Sequence, residues 1–488
     1  MNLNIKDHSF HYEMEKLSQI FFPDEKVSVN YEAAEDGNFI TTQRIKKDNS
    51  DIIYVKVCVA GEVREAETEI PHCEESEDLC ERRMAQLMFR LLTEMLSYTP
   101  PWGILTGVRP SKLMCKLIKL MGEEDAVRYF LDELFVSEEK TQLALTVARN
   151  EQPIMDKGVP ESFSLYISIP FCPTRCSYCS FVSHSNEQAK KLIPKYVDKL
   201  CEEIKVTGDI VKKAGLRLES VYYGGGTPTT LSAEQYRKIS TAIGDCFNLE
   251  TVEEYTVEAG RPDSVTDDKF IAIKESGASR ISINPQTFND NVLEKIGRKH
   301  TSAQTEEAML SARKNGFDNI NMDLIAGLPE DTLESFTYTL EKTLSFEPES
   351  ITVHTLALKR SSTIVTNELE TNDARLCKEM LDVAWKKLSE NGYKPYYMYR
   401  QSKCLGNFEN VGWSKDGYEC LYNVYMMEEC HSVIALGAGA VTKLKDPCGE
   451  SIERIYNYKY PYEYINNFEE IIKRKDKITE FYSNTHKR

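Results

Sequence analysis

Between residues 160 and 356, short β-rich runs alternate with longer amphipathic ones, and few folds accept that pattern. The runs are SLYISIP (164–170), ESVYYGG (219–225), EYTVEAG (254–260), RISINPQ (280–286), INMDLIAG (320–327) and SITVHTL (350–356), bounded by Gly, Pro or polar residues. Between them, AKKLIPKYVDKLCEEIKVTGDIVKK carries apolar residues at three- and four-residue steps. SAEQYRKISTAIGDCF opens on a Ser cap, TDDKFIAIKESG ends on Gly, and TSAQTEEAMLSARKNG and DTLESFTYTLEKTLSF repeat the plan. Strands alternating with helices mean βαβ units and a parallel sheet. Six units are too few for an eight-stranded barrel. The α/β chain is therefore expected to form an open, partial (β/α)6 barrel with its chemistry at the C-terminal strand ends.

The flanks are less regular. Residues 25–70 hold VSVNYEA, NFITTQRI and DIIYVKVCVAGEV, expected to be antiparallel strands, followed by a helix over 81–96. PPWGILTGVRP (100–110) reads as a linker or as a loop reaching towards the site. After 360 come the helical DARLCKEMLDVAWKKLSENG, the strand-like YKPYYMYR (393–400) and the Gly-rich SVIALGAGAVTK (432–443). The expected organisation is an N-terminal α+β domain (1–155), the barrel (160–358) and a C-terminal α/β extension (359–488) covering a substrate.

With 488 residues, 41% of them hydrophobic, the chain can bury a large core. A net charge of −17 disfavours a nucleic-acid partner, which needs clustered Lys and Arg. The N-terminus lacks the apolar core of a signal peptide, and no apolar run approaches the roughly 18 residues of a membrane span. A cytoplasmic protein without membrane contact is expected, its 14 cysteines mostly reduced core thiols.

Cys172, Cys176 and Cys179 stand apart from those thiols, in a C-x3-C-x2-C loop directly after the first strand. Zinc normally takes four ligands from paired knuckles, and CEESEDLC (73–80) is too widely spaced to supply a second one. Iron–sulfur clusters are held by tight cysteine runs of this sort, four to a cubane, so three ligands leave one iron open to a reactant. Other unusual residues also fall at strand ends: GGGTP (224–228), Glu258, Gln286 and Asp323.

With Tyr178 just before the last cysteine, and GGGTP one βα unit later, this loop resembles the signature of the radical S-adenosylmethionine (SAM) enzymes. YISIPFCPTRCSYCSF, YYGGGTPTTL, INPQTF, IGRKHT and NMDLIAGLP, in this order, resemble the oxygen-independent coproporphyrinogen III oxidase family. VEAGRPD (257–263), YMYRQSKCLGNFENVG (397–412), CLYNVYMMEE (420–429) and LTGVRPSK (105–112) look like its HemZ-type coproporphyrinogen dehydrogenases and extend the likeness over nearly the whole chain. The resemblance implies a [4Fe–4S] cluster on Cys172, Cys176 and Cys179, and SAM held by Tyr166, Phe181, Gly224, Gly225, Gly226, Thr227, Glu258, Gln286, Arg298 and Asp323. Tyr166 and Arg298 are the residues it places nearest the reaction. Two departures stand out: Phe181 replaces a fourth cysteine, as in the related haem chaperones, and Ser168 replaces a frequent His.

The implied reaction is oxidative decarboxylation of two propionates of coproporphyrinogen III to vinyl groups, in oxygen-independent haem biosynthesis. A deoxyadenosyl radical takes a propionate β-hydrogen, and CO2 and one electron leave. The expected electron donor is a reduced flavodoxin or ferredoxin, and the expected state a monomer. A tetra-anionic tetrapyrrole needs local cations, for which Lys359, Arg360, Arg400, Lys403 and Arg109 are candidates against a reading as ordinary solvated charges. Tyr396, Tyr397 and Tyr399 read as strand packing before a porphyrin platform. Two alternatives share the fold: a haem chaperone, with His184 or His431 as axial ligand against a structural role for each, and a radical SAM enzyme acting on another tetrapyrrole.

Overall fold

The computed structural model describes the chain except residues 24, 33, 73–75, 180–183, 186–190, 360, 361, 363, 365–371, 402 and 486–488, and gives the backbone alone at 184, 185, 484 and 485. Two compact units result, Met1–Ala148 and Arg149–Arg488.

In the first unit, strands β1 (Asn2–Lys6), β2 (Ser28–Asn30), β3 (Phe39–Lys46), β4 (Ser50–Val59) and β5 (Glu62–Pro71) form one sheet in the order β2-β1-β3-β4-β5. The pairs β3–β4 and β4–β5 are antiparallel as expected. However, β2, within VSVNYEA, pairs parallel with β1, as does β3. Helix α1 (His11–Phe21) between β1 and β2 supplies the crossover a parallel pair requires. Alternation along β4 turns Ile53, Val55 and Val57 into the core. Helix α2 (Ser76–Leu96) follows, with α3 (Pro110–Met121) and α4 (Glu123–Arg128) beyond it; α5 (Glu138–Met155) runs across the division between the two units. The PPWGILTGVRP segment is a packed loop of this unit: Trp102 is buried, and Ile104 N donates to Leu134 O at 2.9 Å.

The second unit carries the barrel. Strands β6 (Ser162–Ile169), β9 (Arg217–Gly225), β10 (Glu254–Glu258), β11 (Arg280–Ser282), β12 (Ile320–Ala326) and β13 (Ser350–Thr355) lie side by side in sequence order, all parallel. Two-residue strands β7 (Phe171–Cys172) and β8 (His184–Ser185) pair beside the cysteine loop. Helices α6 (Ile193–Lys213), α7 (Ala233–Cys246), α8 (Asp267–Glu275), α9 (Asp290–Lys295), α10 (Ser302–Lys314) and α11 (Leu333–Ser345) connect the strands. Local chemistry fixes several starts. Ser232 and Gln235 form a capping box on α7, and Thr301 and Gln304 form one on α10.

Residues after 359 belong to this same unit rather than to a body of their own, and they extend its sheet at both edges. Helix α12 (Ala374–Glu390) precedes β14 (Lys394–Arg400) and β15 (Glu409–Ser414), which continue antiparallel from β13. After helix α13 (Leu421–Glu428), β16 (Ser432–Leu436) lies parallel to β6, and β17 (Val441–Lys445) and β18 (Ile452–Tyr456) complete eleven strands. Helices α14 (Pro461–Asn466) and α15 (Phe468–Thr485) follow.

The outer face of the strands is apolar: Leu165, Ile167, Val221, Tyr223, Val257, Ile281 and Met322 share one core with α6, α7 and α8. The inner face breaks the rule for parallel sheets, whose strands are normally hydrophobic throughout. Alternation places Ser164, Tyr166 and Ser168, then Ser220 and Tyr222, then Glu254 and Glu258, then Arg280, Asp323 and His354 towards the interior. Polar partners satisfy the lower layer. Ser164 Oγ meets Ser220 Oγ and His431 Nε2 at 2.7 Å each, and Arg280 Nη1 donates to Ser350 Oγ at 2.9 Å. Glu254 accepts from Leu421 N (2.9 Å) and Tyr422 N (3.2 Å), anchoring the start of α13 against the barrel.

Behind β6 lies a fully buried ion pair, Lys475 Nζ to Glu203 Oε1 at 2.8 Å. Glu203 also accepts from Asn457 Nδ2 (2.8 Å), Tyr464 Oη (2.7 Å) and Gly437 N (2.8 Å), and Lys475 donates to Ala435 O at 3.0 Å.

Candidate functional site

Two loops at the C-terminal end of the barrel are stitched together by backbone. Gly226 N donates to Ile169 O at 2.8 Å, and Thr227 N to Phe171 O at 2.7 Å. A Cβ on Gly226 would stand 2.5 Å from Phe171 O, so only glycine permits this approach, and Gly225 adopts φ +105°. The cysteine loop is held from its other side as well. Ser177 N donates to Ile296 O at 2.9 Å and Thr174 Oγ1 to Gly297 O at 3.2 Å, which brings the IGRKHT segment against the cysteines.

One cavity of about 280 Å3 lies over these loops. Its lining joins Cys172, Cys176 and Cys179 with Gly225, Gly226, Thr227, Glu258, Gln286, Arg298 and Asp323, and continues to His354 and Lys359. Residues 120 and more positions apart in sequence thus share one space. Thr227 Oγ1 donates to Cys172 Sγ at 3.5 Å. Among the described residues, no three His, Cys, Asp or Glu side chains converge on a single metal ion. Three thiols around a common space suit a multi-iron group, which takes one thiolate per iron.

The polar walls have unmet capacity. Gln286 Oε1, Asn284 Oδ1 and Arg298 Nε are buried without a hydrogen-bond partner among the described residues. Such atoms carry a cost that a bound polar ligand relieves. Gln286 also holds φ +68°, a strained conformation for a non-glycine residue, fixed by Gln286 N donating to Asp323 O at 2.9 Å. Arg298 donates from Nη1 to Asn284 O (2.6 Å) and from Nη2 to Tyr178 Oη (3.2 Å).

Two carboxyls of the cavity are driven apart in acidity. Burial pushes Glu258 up to about 7, although Tyr222 Oη donates to its Oε1 at 2.7 Å. Burial acts on Asp323 the same way, but His354 and Asn321 outweigh it and hold the carboxyl below its ordinary value. Asn321 Nδ2 donates to Asp323 Oδ1 at 2.7 Å, and His354 Nε2 stands 3.8 Å from Oδ2.

Not every expected residue lines the cavity. Tyr166 lies in the layer beneath, its ring stacked with those of Tyr222 and Tyr422 at centroid distances of 6.1 and 5.9 Å. Gly224 lies there too, since a Cβ on it would meet Tyr166, Tyr222 and Glu258 at 3.0 to 3.1 Å. Phe181, Arg360 and the His184 side chain fall outside the described residues. Of the basic candidates in this unit, Lys359 reaches the cavity. Arg400 is buried on β14, paired in register with Glu409, and Lys403 is a turn residue at φ +70° whose carbonyl accepts from Leu358 N. Arg109 belongs to the first unit and precedes α3. His431 is a buried partner of Ser164 and is thereby spoken for structurally. Tyr396 and Tyr397 are core residues, as expected, while Tyr399 Oη approaches His354 Nδ1 at 3.4 Å. His354, Asn284, Arg261, Gln401 and Asn410 also line the cavity without having been singled out. The signal for His354 was available, because it occupies an inward position of a strand already identified.

The radical SAM superfamily model matches residues 166–343. The oxygen-independent coproporphyrinogen-III oxidase-like protein HemZ of Bacillus subtilis (strain 168) is 34% identical over 493 residues, 98% of this chain and 97% of its own. The haem chaperone HemW of Lactococcus lactis subsp. lactis (strain IL1403) is 32% identical over 324 residues, 65% of this chain and 79% of its own. Among solved structures, coproporphyrinogen III oxidase (HemN) from Escherichia coli shares the fold at a TM-score of 0.51 and 22% identity, covering 66% of this chain and 72% of that one. Among the described residues, no helix is long and apolar enough to cross a membrane.

Proposed function

The chain belongs to the oxygen-independent coproporphyrinogen oxidase-like family of radical SAM proteins, and from that premise we propose that it converts two propionates of coproporphyrinogen III to vinyl groups, giving protoporphyrinogen IX. The family uses a [4Fe–4S] cluster and SAM, which when bound supply a 5′-deoxyadenosyl radical that removes hydrogen from a propionate β-carbon. The substrate then loses CO2, passes one electron to an acceptor and is left with a vinyl group. We assign electron supply to a reduced flavodoxin or ferredoxin and place the reaction in the cytoplasm, in a monomer.

The observation that carries this reading is a single cavity walled by three thiols, two carboxyls and a lysine. Cys172, Cys176 and Cys179 would hold the cluster. The Gly225–Thr227 backbone would face the SAM amino end, Glu258 and Asp323 the ribose hydroxyls, and Arg298 the SAM carboxylate through its planar fork. Gln286, strained and with its Oε1 unpaired, would complete that shell. Tyr166 and Gly224 act from below, as the floor that positions Glu258.

Lys359 is assigned to a substrate propionate. A charge-assisted hydrogen bond contributes roughly 1.5–3 kcal/mol. Lys359→Ala is therefore expected to raise KM for coproporphyrinogen about tenfold or more, while SAM cleavage without substrate stays unchanged.

Glu258 gives a pH signature. Below about 7 its carboxyl is protonated and offers less to a cationic cofactor. SAM affinity, followed by equilibrium dialysis from pH 8 down to 6, is expected to weaken by at most tenfold per pH unit once below 7. Glu258→Gln is expected to flatten that profile.

The deciding assay incubates reconstituted protein anaerobically with SAM, a strong reductant and coproporphyrinogen III, and measures porphyrin masses and 5′-deoxyadenosine together. Two successive losses of CO2 plus two hydrogens, coupled to deoxyadenosine, establish the oxidase. Likeness to a haem chaperone supplies the rival reading: stoichiometric haem binding with no porphyrin turnover would replace the proposal. Deoxyadenosine formed with another tetrapyrrole, such as haem, would redirect it.

A further inference from the structure

Arg261 is buried at 3% exposure just past the end of β10 and has its charge directed at a cysteine. Its Nε and Nη2 donate to Asp263 Oδ1 and Oδ2 at 2.9 and 2.8 Å, a bidentate pair that fixes the plane of the guanidinium. The remaining edge points the other way. Nη1 donates to Thr174 Oγ1 at 3.0 Å and to Cys176 Sγ at 3.7 Å. Thr174 lies between Cys172 and Cys176, so one guanidinium clamps the loop and reaches the sulfur.

The arrangement exceeds what holding the loop requires. Backbone bonds from Thr227 N to Phe171 O and from Ser177 N to Ile296 O already tie the loop down on both sides. A buried cation is costly, and Asp263 offsets that cost from the face turned away from the cysteine, leaving the positive end of the pair at the sulfur. Arg298 also interacts with Cys176, but it serves Tyr178 and Asn284 in the cavity wall and is the group assigned above to the SAM carboxylate. Arg261 is therefore the cation whose carboxylate partner sits opposite the sulfur and whose remaining edge serves only the cysteine loop, through Thr174 and Cys176.

Resting on the reading of Cys176 as a cluster ligand, we propose that Arg261 sets the reduction potential of the cluster, its N–H···S contact stabilising the reduced, more negative state. Hydrogen bonds to the sulfurs and local charge are among the determinants of iron–sulfur potentials. Asp263 is the counterweight: it limits how much positive charge the sulfur feels. Arg261 is thus a positioning and tuning residue that acts through Cys176.

The test is an anaerobic potentiometric titration of the reconstituted full chain, followed by electron paramagnetic resonance, with iron and sulfide content measured on the same samples. Arg261→Gln is expected to keep its iron and shift the midpoint to more negative potential. Asp263→Asn, which leaves the guanidinium but removes its counter-charge, is expected to shift it to more positive potential. A merely structural clamp would not give shifts of opposite sign. Unchanged midpoints, or shifts of the same sign, overturn the proposal. Should Arg261→Gln fail to hold a cluster, Asp263→Asn decides alone: a positive shift supports the proposal and its absence refutes it. A wild-type chain that takes up no cluster refutes the ligand reading itself, and this inference with it.

Discussion

Cys176→Ala is expected to yield a folded protein that takes up no cubane: iron and sulfide fall to background, cluster absorbance is lost, and deoxyadenosine formation is abolished. The loop has no need of the Cys176 thiol to keep its path. Ser177 N is bonded to Ile296 O, Thr174 to Gly297 O and Arg261, and Thr227 N to Phe171 O. Removing one sulfur from a residue at 9% exposure leaves a small void and the backbone bonds intact. On the proposed ligand assignment a cubane already has three protein thiolates rather than four, so only two would remain. Far-ultraviolet circular dichroism and metal analysis of the same preparation check both halves. A variant with full iron content would refute the ligand assignment.

Lys475→Met is expected to cost about 3–5 kcal/mol of stability, because it removes one partner of a buried ion pair and leaves the other charged. Glu203 would keep Asn457, Tyr464 and Gly437 N as donors but lose its only formal counter-charge in the network. Replacing Glu203 as well would not restore the loss, since Tyr464 Oη and Gly437 N would then lose their acceptor. Urea unfolding followed by tyrosine and tryptophan fluorescence measures the change. The loss should reach the cysteine loop, because the network holds Gly437, where a Cβ would lie 2.6 Å from Ser168 O, and Tyr196 Oη bonds both Ser168 O and Ala438 N. Iron content of the variant at moderate urea checks that coupling.

The six barrel strands were legible because each is a short β-rich run between breakers. RISINPQ stops as a strand at Ser282, where the chain leaves the ladder to bring Asn284 and Gln286 to the cavity. Their strain and missing partners belong to tertiary structure and leave no mark on local propensity. The same holds for β16, which lies in a segment read only as Gly-rich, and nothing local says that its partner is β6, some 270 residues earlier. The cysteine loop and GGGTP were legible as chemistry because their spacing is unusual in itself. Arg261 sat inside a recognised segment, VEAGRPD, yet its contact with Cys176 depends on how two strand ends approach. The inward polar stripe of the barrel was available in the alternation of Ser164, Tyr166 and Ser168, and reading it would have found His354.

The pairing of β6 with β16 also governs the order of biogenesis. Strand β6, which leads into the cysteine loop, has one neighbour about 55 residues downstream and the other about 270 downstream, so its pairing is finished only after most of the chain has left the ribosome. Completion of the sheet on both sides of β6 is therefore a late event, separated from synthesis of the cysteine loop by the time needed to translate the rest of the unit. The partners that hold the cysteine loop itself, Thr227, Arg261, Ile296 and Gly297, are made well before then. Truncation before residue 432 is therefore expected to keep those loop partners in the chain but to leave one edge of β6 unpaired.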